Sequence, residues 1–429
     1  MFGKPRVDRS SQFLTLAMID FQRYNLDNGL KLIVHQDRTT PLIAVNILYD
    51  VGARDEHPEH TGFAHLFEHL MFEGSANIAE YDNALQMAGG ENNAFTTNDI
   101  TNYYLTIPKQ NIETALWLES DRMLELFFSE EKLNIQKDVV SEEYRQSYLN
   151  QPYGDVWALL RSLVYKVHPY QWPTIGKSID HVKNATVSQV KDFFYRFYRP
   201  NNAIVVLTGD IEPEMAYNLV KKWFGDIPSG IDYKRNLPAE PVQNAERRLR
   251  VQRDVPFDEI YMAFPTGKRL DHDFYTTDLL TDILAGGSSA RLKENLVKKK
   301  KIFSEANAWV TGSIDNGFLA IMGKLHTNQT IENAEKAIWE ELQDLKNNPV
   351  SERELQKVKN KLEASNTFAE TGILSKAMNL AYYELLGDAD LLNHQNEKYF
   401  AINADELMNA ANDIINPAKA NILYYLAKK

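Results

Sequence analysis

His65, Glu68 and His69 stand in the run Gly62-Phe63-Ala64-His65-Leu66-Phe67-Glu68-His69-Leu70-Met71-Phe72. Positions i, i+3 and i+4 of a helix share one face, so these three form a single polar stripe. Phe63, Leu66, Phe67, Leu70 and Met71 cover the rest, and a helix apolar nearly all round is expected to be buried. Two imidazoles and a carboxylate buried together need partners, because desolvated polar groups are costly. A divalent cation would satisfy both rings, since histidines four apart can reach one tetrahedral ion at about 2.0–2.1 Å per nitrogen. Glu68 would then lie near the ion without ligating it, placed to take a proton from a water held there. The chemistry so described is metal-assisted hydrolysis. The alternative is a core helix whose two histidines are satisfied by hydrogen bonds. His57 and His60, just upstream among Pro58 and Glu59, are expected to face solvent.

A catalytic zinc site with three protein ligands needs one more donor. The segment from Leu133 to Arg145 offers Glu142 and Glu143 on an expected helix. Ile135 and Val139 are read as its buried face. Glu143, four residues after Val139 and seven after Gln136, can then point inward, while Glu142 is turned by about 100° and can face water. Taken alone, this helix is better read as carrying both acids on a charged surface.

Two half-chains carry these helices. In the first, Thr186 and Gln189 form a capping-box pattern, a helix runs to Pro200, and an apolar strand follows from Ala203 to Leu207. In the second, Asn403 and Glu406 open a helix that runs to Pro417, and a strand follows from Ala420 to Tyr425. The two prolines lie 217 positions apart, and the Gly-Ser steps at Gly74 and Gly287, each after an apolar helix, lie 213 apart. Two such offsets near half the chain length point to a duplication. Shifting the metal helix by the second offset puts Asp278, Thr281 and Asp282 in place of His65, Glu68 and His69, so only the first copy has the site.

Pro228, Ser229, Gly230, Pro238 and Pro241 break both periodicities between the halves. We therefore divide the chain into a metal-bearing domain (1–227), a linker (228–245) and a non-catalytic duplicate (246–429). Expected elements of the first half are a hairpin over 24–36 turning at Asp27-Asn28-Gly29, a strand over 42–49, one strand near 93–107, and helices near 59–72, 80–88, 109–127 and 130–149. The second half is expected to hold helices over 267–285, 290–299 and, as one long stretch, 351–386. The class is α+β: two homologous domains, each a mostly antiparallel sheet with helices packed on one face.

Composition narrows the function. With 44% hydrophobic and 25% charged residues the chain reads as a globular enzyme. A net charge of -12 repels phosphate backbones and argues against a nucleic-acid partner. The basic run Lys298 to Lys301 is read as a solvated helix end. Without cysteine there is neither a disulfide nor a thiolate ligand. No stretch is long and apolar enough for a membrane span, and Met1 to Met18 lacks the pattern of an export signal. The expected location is cytoplasmic, or periplasmic if a signal has been removed.

The order His-x-x-Glu-His inverts the common zinc-peptidase motif and resembles the pitrilysin/insulinase family of inverted zinc metallopeptidases. Gly62 to Gly74, Ala88-Gly89-Gly90, Asn93-Ala94-Phe95-Thr96 with Asp99, Val139-Val140 with Glu142-Glu143, Tyr198-Arg199-Pro200 with Ala203, Gly209-Asp210, and Gly286 to Leu292 all fit that pattern. The length resembles the small two-domain branch, which includes the processing-peptidase β subunit. The resemblance implies Zn2+ held by His65, His69 and Glu143, Glu68 as general base, and Asn93, Ala94 and Phe95 on an edge strand to which a peptide substrate adds. It further implies an endopeptidase that encloses unstructured oligopeptides in a clam-like chamber, as a homodimer or with a related subunit. Relatives that lost the motif act as non-catalytic partner subunits, which is the alternative function. Two features depart from the pattern. Gln136 stands where some members carry a further acid, with Asp138 two residues on, and no Arg and Tyr pair can be placed in the second half to complete the site.

Overall fold

The computed structural model describes residues 18–428, so the segment scanned above for an export signal lies, apart from Met18, outside the described residues. Leu42 to Tyr49 and Ala203 to Gly209 are buried along almost their whole length, as expected of strands covered on both faces. They are the centre of a six-stranded sheet. Its strands are β1 (Gln22–Asn25), β2 (Lys31–Gln36), β3 (Leu42–Tyr49), β4 (Glu91–Thr96), β5 (Thr101–Pro108) and β6 (Ala203–Gly209), in the order β1-β2-β6-β3-β5-β4. The hairpin between β1 and β2 turns at Gly29, whose φ of +88° suits glycine. The second sheet holds β7 (Arg247–Arg253), β8 (Glu259–Pro265), β9 (Phe303–Val310), β10 (Phe318–Leu325) and β11 (Asn421–Ala427), in the order β7-β11-β8-β10-β9. From β2 onward the two orders correspond strand for strand. Each sheet has one parallel pair, β2 with β6 and β7 with β11, at the same place, and all other pairs are antiparallel. The duplication is thus visible in topology.

Eight helices lie between β3 and β7: α1 (Phe63–Leu70), α2 (Tyr81–Met87), α3 (Ile112–Leu124), α4 (Glu130–Tyr144), α5 (Val156–Val164), α6 (Ile179–Lys183), α7 (Val187–Phe197) and α8 (Pro213–Phe224). Six follow β8: α9 (His272–Ala285), α10 (Ile331–Asn347), α11 (Glu352–Ala369), α12 (Ile373–Leu385), α13 (Gln395–Ala401) and α14 (Ala404–Ile414). Capping boxes form at Thr186 with Gln189 and at Asn403 with Glu406; at Ser351, where the spacing to Glu354 also predicts one, only the Ser351 side chain accepts the Glu354 amide. Lys298 to Lys301 are exposed, and Lys298 and Lys300 pair with Glu294 and Glu340.

Each half packs most of its helices on one face of its own sheet. Ile43, Val45, Ile47 and Tyr49 of β3 point into that core in the first half, and Ile260, Met262 and Phe264 of β8 do so in the second. The opposite faces are covered by exchange. Ala44 and Leu48, with Ile204 and Val206, bury against Ala377, Leu380 and Ala381 of α12. Tyr261, Ala263, Leu423 and Tyr425 bury against Val156, Leu160 and Val164 of α5. The two helices begin at 156 and 373, spaced like Pro200 and Pro417, so the copies have traded the same element.

Three expectations are corrected here. The single strand near 93–107 is the hairpin of β4 and β5, because Thr97 Oγ1 accepts the amides of Asp99 and Ile100 and turns the chain. The long helix over 351–386 breaks near Gly372, which lets α11 stay with the second core while α12 crosses to the first sheet. The helix expected from 267 begins at His272. Among the described residues no helix is long and apolar enough to cross a membrane.

Candidate metal centre

The helix α1 is short and almost entirely enclosed: Phe63, Leu66, Phe67, Leu70 and Met71 are buried, and only the stripe of His65, Glu68 and His69 is partly accessible. Phe67 stacks with Phe193 and Tyr198, which fixes the rotation of α1 and hence the direction of that stripe. The helix α4 lies beside it. Ser129 caps α4 by accepting the Lys132 amide. Lys132 Nζ donates to the Glu73 carbonyl and Gln136 donates its amide to the Glu73 carboxylate, pinning α4 to the residues just after α1. Gln136 therefore acts as a brace here, and Asp138 is exposed.

That alignment brings Glu143 to the histidines. Its Oε2 lies 3.6 Å from His65 Nε2 and 3.5 Å from His69 Nε2. One ligand atom from each residue lies within 4.8 Å of the others, and this is the one such group of three among the described residues. Glu142 turns outward to Arg145, as expected. Ile135 and Val139, expected to form the buried face of this helix, are instead 47% and 43% exposed. The buried side of α4 runs through Leu133, Val140 and Ser141, and Glu143 follows Val140 by three positions.

The electrostatics suit a cation. Burial lowers the His65 pKa to about 4 against the pull of Glu143, so the ring is neutral at pH 7 and keeps a lone pair for ligation. The approach of His69 holds the Glu143 carboxyl below its usual range, with burial opposing. Burial raises the Glu68 carboxyl, while Thr96 and His69 work in the other direction. Donors about 2.0–2.2 Å from a tetrahedral zinc stand roughly 3.3–3.6 Å from one another. The two Nε2–Oε2 separations of 3.6 and 3.5 Å fall in that range, and two imidazoles with one carboxylate are a donor set zinc accepts.

In the second copy the equivalent helix is α9. Asp278 accepts a hydrogen bond of 2.6 Å from Tyr399, and Asp282 pairs with Lys361 at 2.8 Å, so these positions are taken up by structural contacts. β4, which carries Asn93, Ala94 and Phe95, ends the sheet order and, among the described residues, pairs with β5 alone. His57 and His60 are exposed.

Residues 31–177 match the family described as Insulinase (Peptidase family M16), and residues 184–362 match Peptidase M16 inactive domain. The chain belongs to the M16 peptidase family, the insulinase/pitrilysin group. It is 28% identical over 410 residues to the zinc protease PqqE of Helicobacter pylori, covering 93% of this chain and 91% of that protein. A Bacillus subtilis protein, the uncharacterized zinc protease YmxG, is 25% identical over 371 residues, 85% of this chain and 88% of that one. Among solved structures, a protease from Helicobacter pylori superposes with a TM-score of 0.89 at 27% identity, covering 95% of this chain and all (100%) of that one. Pitrilysin shares the fold, with a TM-score of 0.80 at 18% identity, covering 96% of this chain and 46% of that one.

Sequence reasoning missed two residues around the site. Glu73 braces α4, and Glu56, the residue before His57, is buried against the start of α1. The signal available for Glu56 was Gly62, which supplies no capping side chain to α1.

Proposed function

We propose that this chain, a zinc peptidase of the M16 family, cleaves internal bonds of unstructured peptides. In this reading His65, His69 and Glu143 hold the zinc and Glu68 moves the proton. The observation that carries it is the convergence of both imidazoles on one Glu143 oxygen, with Glu68 on the same face of α1. Zinc, when bound, polarises a carbonyl and makes an adjacent water more acidic. Glu68 takes the proton of the attacking water on its carboxylate and passes it to the departing amine. A carboxyl raised by burial suits both halves of that transfer. The relatives named as zinc proteases span nearly the same length of chain, which supports the assignment.

A substrate strand added to β4 would run past the site, with main-chain bonds to Asn93, Ala94 and Phe95 and no demand for a particular side chain. This favours extended peptides over folded ones. The Glu143 side chain is 42% exposed in the single chain. In this proposal a second chain, either another copy or a related subunit, completes the chamber that encloses the peptide. A fully active monomer in solution would refute that part of the reading.

The test is cleavage of a quenched fluorescent peptide by wild-type and Glu68→Gln protein, with zinc content measured on both. Glu68→Gln is expected to retain zinc and lose at least ~100-fold in turnover. Equal turnover in the two proteins would remove Glu68 from the mechanism. Wild type that binds zinc but cleaves nothing, alone or with a related subunit, would favour the scaffold role.

A further inference from the structure

A helix leaves its first amides without intrahelical partners, and a side chain at the N-cap normally meets one of them. In α1 the N-cap is Gly62, with φ +90° and no side chain to offer. The amides are met from six residues upstream. Glu56 Oε2 accepts from Gly62 N at 3.0 Å and Oε1 accepts from Ala64 N at 2.9 Å. Trp172 Nε1 donates to the same Oε2 at 3.1 Å and to the Ala53 carbonyl at 3.0 Å. Glu56 is only 6% exposed.

His65 follows Ala64 directly and lies in the first turn of α1, whereas His69 lies in the last. Histidines that bind metals usually give their second ring nitrogen to an acceptor that fixes the ring. The Nδ1 of His65 is buried and has no hydrogen-bond partner among the described residues. The place of this ring therefore depends on the backbone that carries it, and that backbone is held by Glu56. The 3-10 turn that immediately precedes Glu56 (Ala53–Asp55) carries Arg54, whose guanidinium meets Asp99 at 3.1 Å and Asp315 of the second half at 3.2 Å.

We propose that Glu56 is a positioning residue for the metal centre: its carboxyl group holds the first turn of α1 so that His65 faces His69 and Glu143. The inference rests on the zinc reading above. Through Arg54 it links the second copy to the ligand helix.

The experiment measures zinc affinity by competition with a chromogenic chelator, on full-length wild type, Glu56→Ala, Glu56→Gln and Leu280→Ala. Leu280 is buried in the second core and serves as a control for general loss of stability. Melting of each metal-free protein is followed in parallel. Glu56→Ala is expected to weaken zinc binding about tenfold or more, and Glu56→Gln, which keeps one acceptor oxygen, to recover part of that. Leu280→Ala is expected to melt lower and bind zinc like wild type. If Glu56→Ala does not fold, Glu56→Gln with affinity below wild type carries the same conclusion. Wild-type affinity in the folded Glu56 variants, or an equal loss in Leu280→Ala, would overturn the proposal and leave the zinc reading standing. A wild type that binds no zinc would overturn both.

Discussion

At the scale of single residues, adjacent acids of the same type have opposite surroundings. Glu143 sits 3.5 Å from His69 Nε2, and Glu142 bonds Arg145 on the outer side of α4. Glu143→Gln keeps the size and removes the negative donor, so it is expected to cut zinc affinity by about tenfold or more and lower peptide cleavage with it. Glu142→Gln, which loses one exposed ion pair, is expected to stay within about 0.5 kcal/mol of wild-type stability and to bind zinc normally. Equilibrium dialysis and thermal melting separate the two. Equal losses in both variants would mean the third ligand has been misassigned.

At the scale of elements, α1 and α4 carry the site, and each is tied at one end to the other copy. α1 is tied through the turn at Arg54. α4 continues through a π-helical turn (Arg145–Leu149) towards α5, which lies on the second sheet. The approach to α1 is tight. A Cβ on Gly62 would come within 2.6 Å of the Ile175 carbonyl oxygen, at a φ of +90° that side chains avoid. Gly62→Ala is therefore expected to destabilise the protein by about 1–3 kcal/mol and to lower zinc affinity, since the first turn must shift. Wild-type melting of this variant would show that the segment carrying Ile175 yields freely.

At the scale of the molecule, the exchange of α5 and α12 makes the two copies interdependent. Fragments 1–227 and 246–429 would each leave a sheet face bare and carry an exposed apolar helix. Expressed alone, each is expected to aggregate or bind a hydrophobic dye, and co-expression should give a soluble complex. A soluble, cooperatively melting 1–227 fragment would refute the interdependence. The same junction carries an ion pair between Asp37 and Lys376 of α12, 2.8 Å apart and largely buried. Burial alone would raise the Asp37 carboxyl, but the hydrogen bonds from Lys376 and Thr39 outweigh it and hold it well below the usual range. A depressed carboxyl stabilises the fold above its unfolded pKa of about 4, and that contribution is lost as the pH falls below it. Asp37→Asn is thus expected to cost about 2 kcal/mol at pH 7, with the gap to wild type closing below about pH 4. A gap in melting temperature that stays constant down to pH 3 would place the effect elsewhere.

The candidate site was legible in the chain because its motif lies within about one helix turn: His65, Glu68 and His69 are neighbours by period, whatever the fold. The duplication was legible too, since caps, prolines and closing strands recur at fixed spacing. Other features depended on contacts between distant segments. The face of α4 that meets α1 is set by Gln136 and Lys132 reaching Glu73, so the apolar Ile135 and Val139 could remain exposed and the periodicity of α4 pointed to the wrong stripe. Glu56 drew no notice in the sequence because its partners, Gly62, Ala64 and Trp172, come together only on folding. The exchange of α5 and α12 left no local mark either, because an amphipathic helix reads alike whichever sheet it covers. Spacing along one helix determined the candidate metal-binding stripe, while tertiary packing decided which acid lies beside it.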